Sequence, residues 1–299
     1  MILTSPRSES MRRVSYWVSS VLLGGLVLAF TGLLVAGNLT WAPAPAVIGS
    51  PPTDLPTEAV KFESASGSQL SGWFIPGQPN MGAVLLMHGI RANRLAMLDR
   101  ARLLHRHGFS VILFDFQGHG ESPGRSITFG YLESRDAGAA LEYLRQRAPQ
   151  ERVGVIGVSL GGVAAVLADG KLTADAMVLE AVYGTFDDAI ANRLIMHLGA
   201  VGKSLGPVFT WQVKWRLGFD PAVLQPVARI SEVHAPVLLI AGGADQHTTL
   251  REMRELYERA NPPKDLWIIN NARHVDFQVY ARDEYERRVV GFLTTWLRS

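Results

Sequence analysis

Residues Val153 to Gly162, reading VGVIGVSLGG, restrict the folds open to this chain more than any other stretch. A short β-branched run, Val153 to Ile156, leads into Gly157-Val158-Ser159-Leu160-Gly161, and a small-residue segment with helical character follows from Gly162 to Ala168. The order is strand, sharp turn, helix. Such a turn forces its central serine into a strained backbone conformation, and the glycines two before and two after it let strand and helix approach. The consequence is an exposed hydroxyl at Ser159, set at a helix N-terminus whose unpaired N–H groups favour an anion. Gly and Ser are common residues and the pentapeptide also arises by chance, so its meaning depends on what the rest of the chain supplies.

With 299 residues and a hydrophobic fraction of 47%, the chain is long enough for one large α/β domain with something added. Lys and Arg are scattered rather than gathered in runs and the formal net charge is only +2, which gives a nucleic-acid partner no support. There are no cysteines. A disulfide framework, a thiolate metal site and a cysteine nucleophile are therefore excluded.

Residues 1–13 carry Arg7, Arg12 and Arg13 against one acid, Glu9, and no further charge appears until Asp54. Within that stretch Val14 to Gly37 is almost wholly apolar; as a helix it is roughly 36 Å long, enough to cross a hydrocarbon core of about 30 Å. It reads as a transmembrane helix. Arginines before it and no Lys or Arg after it until Lys61 place the N-terminal tail in the cytoplasm and the rest of the chain outside. A cleaved signal peptide is the competing reading, but the apolar run is longer than the usual 7 to 15 or so residues, and prolines occupy Ala42-Pro43-Ala44-Pro45-Ala46 where a cleavage motif wants small residues. Residues 38–58, with five prolines between Pro43 and Pro56, read as an extended juxtamembrane linker.

From residue 59 onward strands and helices alternate. Val60 to Glu63 and Gln69 to Ile75 suggest a hairpin, and Ala83 to Met87 is a continuous apolar run ending in His88-Gly89-Ile90. A helix (Leu95 to His107), a strand (Phe109 to Phe114) and a helix (Leu132 to Arg147) precede the elbow. Strands at Ala176 to Ala181, Val237 to Ala241 and Leu266 to Ile269 follow it, with helices at Leu250 to Ala260 and Glu284 to Leu297. The pattern is that of an α/β domain spanning 59–299, a doubly wound, mostly parallel sheet with its site at the strand C-terminal ends. One interval departs from it: about fifty residues after Ala181 show no strand pattern but hold Phe209, Trp211, Trp215 and Phe219. A small helical lid over about 187–229 is expected there, two ordinary crossover helices being the alternative.

A serine hydroxyl needs a base to take its proton and a third group to orient that base. Asp245, directly after a buried strand, and His274, just after the last strand, fall at the same sheet edge as Ser159. Glu180, ending the preceding strand, is the rival acid. The tetrahedral anion needs two donors, for which the N–H groups of Leu160 and Ile90 are placed. Arg91 and Arg94 on the Ile90 loop read as solvated charges or as recognition groups for a substrate carboxylate. His119 reads as a turn residue, and no metal-ligand spacing is present.

Taken together, His88-Gly89, Asp115-Phe116-Gln117-Gly118-His119-Gly120-Glu121-Ser122, Gly157-Val158-Ser159-Leu160-Gly161-Gly162, Asp245 and His274 resemble the α/β-hydrolase superfamily, over about Ala59 to Ser299 and in the family's order. The N-terminal anchor and the loop His88-Gly89-Ile90-Arg91-Ala92-Asn93-Arg94 look like membrane-anchored serine hydrolases related to the Bem46-like and prolyl-oligopeptidase-like branches. The resemblance implies a triad of Ser159, Asp245 and His274 and no cofactor. Two positions depart from it: Gln246-His247-Thr248-Thr249 stands where relatives often carry a proline, and Arg273 where they carry a glycine. Both bear on the shape of the acid and histidine loops.

The expectation is a serine hydrolase acting on a small-molecule or lipid acyl substrate through an acyl-Ser159 intermediate. A peptidase or acyltransferase with the same triad, and a non-catalytic membrane-tethered binding protein on a hydrolase scaffold, are the alternatives. The oligomeric state is not legible.

Overall fold

Continuous apolar runs dictate strands covered on both faces, and five such runs form the middle of the sheet in the computed structural model, which describes residues 6–168 and 173–298. The strands are β1 (Glu58–Glu63), β2 (Gln69–Ile75), β3 (Ala83–Met87), β4 (Ser110–Phe114), β5 (Val153–Val158), β6 (Ala176–Glu180), β7 (Val237–Gly242) and β8 (Lys264–Ile269). Their order in the sheet is β1-β2-β4-β3-β5-β6-β7-β8. β2 runs antiparallel to β1 and β4, and every other pairing is parallel. The central strands β3 to β7 are buried almost throughout, whereas edge strand β1 alternates exposed and buried residues.

Side chains of successive strand residues point to opposite faces, and the core divides accordingly. Leu85, Met87, Ile112 and Val155 pack on one face with Leu141 and Leu144 of α3 (Glu133–Arg147) and Val163 of α4 (Leu160–Val166). Val84, Leu86, Val111 and Ile156 pack on the other with Leu104 of α2 (Leu98–Arg106) and the closing helix over 282–297. That helix offers Tyr285, Val289, Leu293 and Leu297, all fully buried at helical spacing. Chain order reverses between β3 and β5. Their C-terminal ends therefore open a crevice at the switch point, and Ser159 follows β5 directly into it.

The N-terminal unit is one helix, α1 (Pro6–Trp41), whose 29-residue portion Arg13–Trp41 is long and apolar enough to cross a membrane. It runs past the expected end at Gly37. Residues Asn38 to Trp41 contain no breaker, and the helix stops only when Ala42 precedes Pro43, a position where proline disfavours helical backbone. The second unit covers Ala42–Ser299. Its first residues are not a free spacer: Ala44 and Ala46 donate their N–H groups to Gly118 and Gly120 at 2.7 and 2.8 Å, and the Ile48 N–H reaches Glu121 at 3.2 Å. Pro43 and Pro45 have no N–H to offer, so the intervening alanines supply a one-sided row of donors.

Between β6 and β7 stand α5 (Phe186–Leu198) and α6 (Ala200–Leu217), where the lid is expected. Phe186, Ala189, Ile190, Phe209 and Val213 are buried, while Trp211 and Trp215 stack on each other at 6.0 Å and remain exposed. These tryptophans form no core of their own. The expected helix over 95–107 begins as a 3₁₀ turn, Arg94–Met97, capped by the Asn93 side chain, and becomes α-helical at Leu98.

On the closing-helix side of the sheet lies a buried ionic cluster. Arg100 of α2 donates to Glu180 at 2.7 and 3.2 Å, to Asp276 at 2.9 Å and to the Tyr285 hydroxyl at 3.0 Å, and Tyr285 donates to Glu180 at 2.6 Å. Removing one partner strands a buried charge. Arg100→Met is expected to lower unfolding stability by about 3–5 kcal/mol, and the double variant Arg100→Met/Glu180→Leu to recover most of it, measured by denaturant titration of the full chain in detergent.

Candidate active site

Ser159 sits between β5 and α4 with φ 50° and ψ −110°, in the region that favours glycine, and its own N–H is anchored on the Glu180 carbonyl at 2.8 Å. The flanking glycines have steric reasons. A Cβ on Gly157 would lie 2.6 Å from the backbone of Gly161, and a Cβ on Gly161 would lie 2.3 Å from the Met87 carbonyl oxygen at the end of β3. The elbow can therefore form only with bare backbone at both positions. Leu160 opens α4, and an N–H in the first turn has no partner within its own helix.

The loop after β3 brings Gly89 beside the elbow: a Cβ there would stand 3.7 Å from the Ser159 Cβ. His88, fully buried, shapes that loop. Its Nε2 accepts from the Phe116 N–H at 3.2 Å, which leaves Nδ1 protonated and donating to the Gly89 carbonyl at 2.7 Å. Burial, helped by the charge of nearby His119, lowers the pKa of His88 to about 3, so it stays neutral at physiological pH. Ile90 packs half-buried against the core, and its N–H belongs to the same loop.

The acid and histidine loops are stitched together. The Gly243 N–H bonds to the Ile269 carbonyl at 2.9 Å and the Ala244 N–H to the Ala272 carbonyl at 2.8 Å. At their junction His274 Nδ1 lies 2.7 Å from Asp245 Oδ2. Asp245 also accepts from the His247 N–H at 2.7 Å, the Thr248 N–H at 3.1 Å and the Thr248 hydroxyl at 2.8 Å. Burial pushes its carboxyl upward. The hydrogen bond and charge of His274, with the Thr248 donors, outweigh this and hold it below the usual carboxylate range. The segment Gln246-His247-Thr248-Thr249 thus supplies three of the four hydrogen bonds that hold the acid. The His247 ring lies 4.9 Å from that of His274.

The structure brings Asp245 and His274 together and sets Ser159, Leu160 and Ile90 at the neighbouring strand ends. Glu180 is occupied by Arg100 and Tyr285 rather than by a histidine. Arg94 is neither a solvated charge nor a substrate group: it is 2% exposed, pairs with Asp115 and Glu121, and covers the Trp73 ring at 4.7 Å. His119 is buried with Nδ1 3.0 Å from the Gln117 carbonyl, as a turn residue would be. Among the described residues no three His, Cys, Asp or Glu side chains gather as a metal site would. Sequence reasoning passed over Arg100, although it falls on the apolar side of α2 with Met97, Ala101 and Leu104. It also passed over Thr248, for which no local pattern announces a role.

A family model described as serine aminopeptidase, S33, matches residues 78–214. An uncharacterized protein of Mycobacterium tuberculosis, MT2364, is 30% identical over 265 residues, which are 84% of this chain and 88% of that one. The α/β hydrolase domain-containing protein WAV2 of Arabidopsis thaliana is 28% identical over 90% of this chain and 92% of its own. Among solved structures, the esterase Pf2001 of Pyrococcus furiosus is similar with a TM-score of 0.71 and 26% identity, over 86% of this chain and 98% of that one. The chain belongs to the α/β-hydrolase superfamily.

His88 generates an acid-side prediction. Its folded pKa of about 3 lies below the 6.5 of the free side chain, so the unfolded chain binds the extra proton and stability falls as pH drops through that window. At pH 4.5 this one group should cost about 2–3 kcal/mol relative to pH 7, and His88→Gln should flatten the pH dependence of denaturant unfolding by that amount.

Proposed function

We propose that the protein is a serine hydrolase that cleaves an ester or related acyl substrate through a covalent acyl-Ser159 intermediate. The observation that carries this reading is the 2.7 Å bond between His274 Nδ1 and a buried, ionised Asp245, formed at the sheet edge where the elbow presents Ser159. With Nδ1–H held by Asp245, His274 Nε2 is the basic nitrogen, the tautomer a general base requires. In the first half-reaction the Ser159 oxygen bonds to the acyl carbon as His274 takes its proton. The carbonyl electrons move onto oxygen, which accepts hydrogen bonds from the N–H groups of Leu160 and Ile90. The intermediate collapses, the ester bond breaks, and the alcohol leaves with the proton from His274. Water then attacks the acyl group with His274 again as base, releasing the acid and restoring Ser159. Similarity to the Pf2001 esterase supports ester chemistry.

Cleavage of an aminoacyl amide is the second reading, favoured by the family model named for a serine aminopeptidase. Leaving-group preference separates the two, and a panel of 4-nitrophenyl esters beside aminoacyl 4-nitroanilides measures it. In either case a serine-directed fluorophosphonate should label the parent stoichiometrically. Ser159→Ala should abolish labelling and lower kcat by at least about 10³-fold, and Asp245→Asn should lower it by about 10⁴-fold with the fold intact. Full turnover by Ser159→Ala would overturn the assignment.

The apolar helix is proposed to anchor the protein with its N-terminus in the cytoplasm and the hydrolase unit on the far side, on the strength of the arginines that precede it. Alkaline phosphatase fused after Ala46 in a bacterial host should be active. The same fusion made after Arg13, before the helix, should be inactive.

A further inference from the structure

The buried stripe of α5 runs Phe186, Ala189, Ile190 and then, one turn on, Arg193. Helical spacing calls for another apolar contact at that position, and a cation stands there instead. Arg193 is half-buried, and its one hydrogen bond among the described residues is from Nη1 to the Ala189 carbonyl at 3.1 Å. Among the described residues it has no ion pair with any carboxylate.

The segment carrying it is held firmly over the acid loop. The Asn192 side chain donates to the His247 carbonyl at 3.1 Å and to Glu252 at 2.9 Å, and Asp188 pairs with Arg251 at 2.8 Å. The ionisable groups facing Arg193 are Tyr183, Asp245 and Glu252, with His247 close by. None satisfies it. Asp245 is filled by four donors from His247, Thr248 and His274. Glu252 takes Asn192 and the N–H and hydroxyl of Thr249 on Oε2, in a capping box, and the Gly184 N–H at 3.4 Å on Oε1. Tyr183 directs its hydroxyl to the Phe129 carbonyl. The rest of its guanidinium is not enclosed, so those N–H groups stand open to an acceptor arriving from solvent.

We propose that Arg193 is the recognition group for an anion carried by the substrate, a carboxylate or phosphate on the acyl or the alcohol portion, bound beside the Asp245–His274 pair. This rests on the acyl-serine reading for the reaction itself, but the anion site has a readout of its own. A guanidinium meets a carboxylate or phosphate through two parallel hydrogen bonds, and α5 fixes where that fork stands. The charge selects substrate and takes no part in bond making.

The test uses full-length protein in detergent. Mono-4-nitrophenyl succinate against 4-nitrophenyl butyrate places the charge on the acyl side, and 4-acetoxybenzoate against its methyl ester places it on the alcohol side. In one of these pairs the ratio of kcat/KM for the anionic over the neutral member should fall by about tenfold to a hundredfold in Arg193→Gln, with partial recovery in Arg193→Lys. The pair that responds identifies the side carrying the charge. Equal ratios in parent and Arg193→Gln for both pairs would overturn the proposal while leaving the hydrolase reading in place. Calorimetry of monomethyl succinate and of inorganic phosphate, titrated into Ser159→Ala and into Ser159→Ala/Arg193→Gln, needs no turnover. Binding lost in the double variant supports the site, and unchanged or absent binding counts against it, even should fluorophosphonate labelling fail and sink the acyl-serine reading.

Discussion

The near-contact of backbone with backbone where α4 leaves the elbow and passes the end of β3 is the constraint on which the site depends. With no side chain at Gly161, the first turn of α4 comes up against the Met87 carbonyl, and the chain can reverse only if Ser159 accepts a positive φ. That strain puts the serine hydroxyl, the Leu160 N–H and the loop bearing Gly89 and Ile90 in one small volume at the switch point of the sheet. The loop has its own support in His88, whose buried neutral imidazole ties the Phe116 N–H to the Gly89 carbonyl. Arg94, buried against Trp73 and paired with two carboxylates, holds the loop's far end.

Two acids stand at neighbouring strand ends, and their surroundings set them to different work. Glu180 is enclosed by Arg100 and Tyr285, so its charge is neutralised inside the core and contributes to the joining of α2, β6 and the closing helix. Asp245 is in no ion pair with an arginine, although Arg193 faces it without bonding. Donors from Thr248, His247 and His274 keep it ionised, and one of them is a ring that reaches solvent. A carboxylate compensated mainly by hydrogen bonds retains its field for the neighbouring imidazole, as the orienting acid of the proposed mechanism would need to.

The hairpin of α5 and α6 carries the arginine proposed to select the substrate. Its inner stripe is apolar except at Arg193, and Asn192 binds it to the loop that carries Asp245 and His247. Its outer side leaves Trp211 and Trp215 in solvent. Movement of α5 would therefore be felt at the acid loop through Asn192 and Glu252, a direct mechanical connection between whatever enters under the helices and the groups proposed to act on it.

Much of the architecture was legible in the chain itself. Apolar runs such as Ala83 to Met87 and Val237 to Ala241 are strands because only a sheet covered on both sides buries every residue. The alternation with helices made that sheet parallel, and the elbow followed from glycine spacing around Ser159. Each is a local signal, carried by residues within a few positions of one another. What the tertiary structure decided concerns partners distant in sequence. Residues 38–41 read as linker but continue the helix, since nothing breaks it before Pro43, and beyond it Ala44, Ala46 and Ile48 are tied to residues 118–121. Glu180 and Asp245 look alike as acids after buried strands; Arg100, eighty residues from one, and Thr248, three from the other, separate them. Arg94 and Arg193 are ordinary arginines by composition. Whether an arginine is solvated, neutralised or left waiting depends on which carboxylates the folded chain brings within reach, and sequence periodicity carries no information about contacts across a sheet.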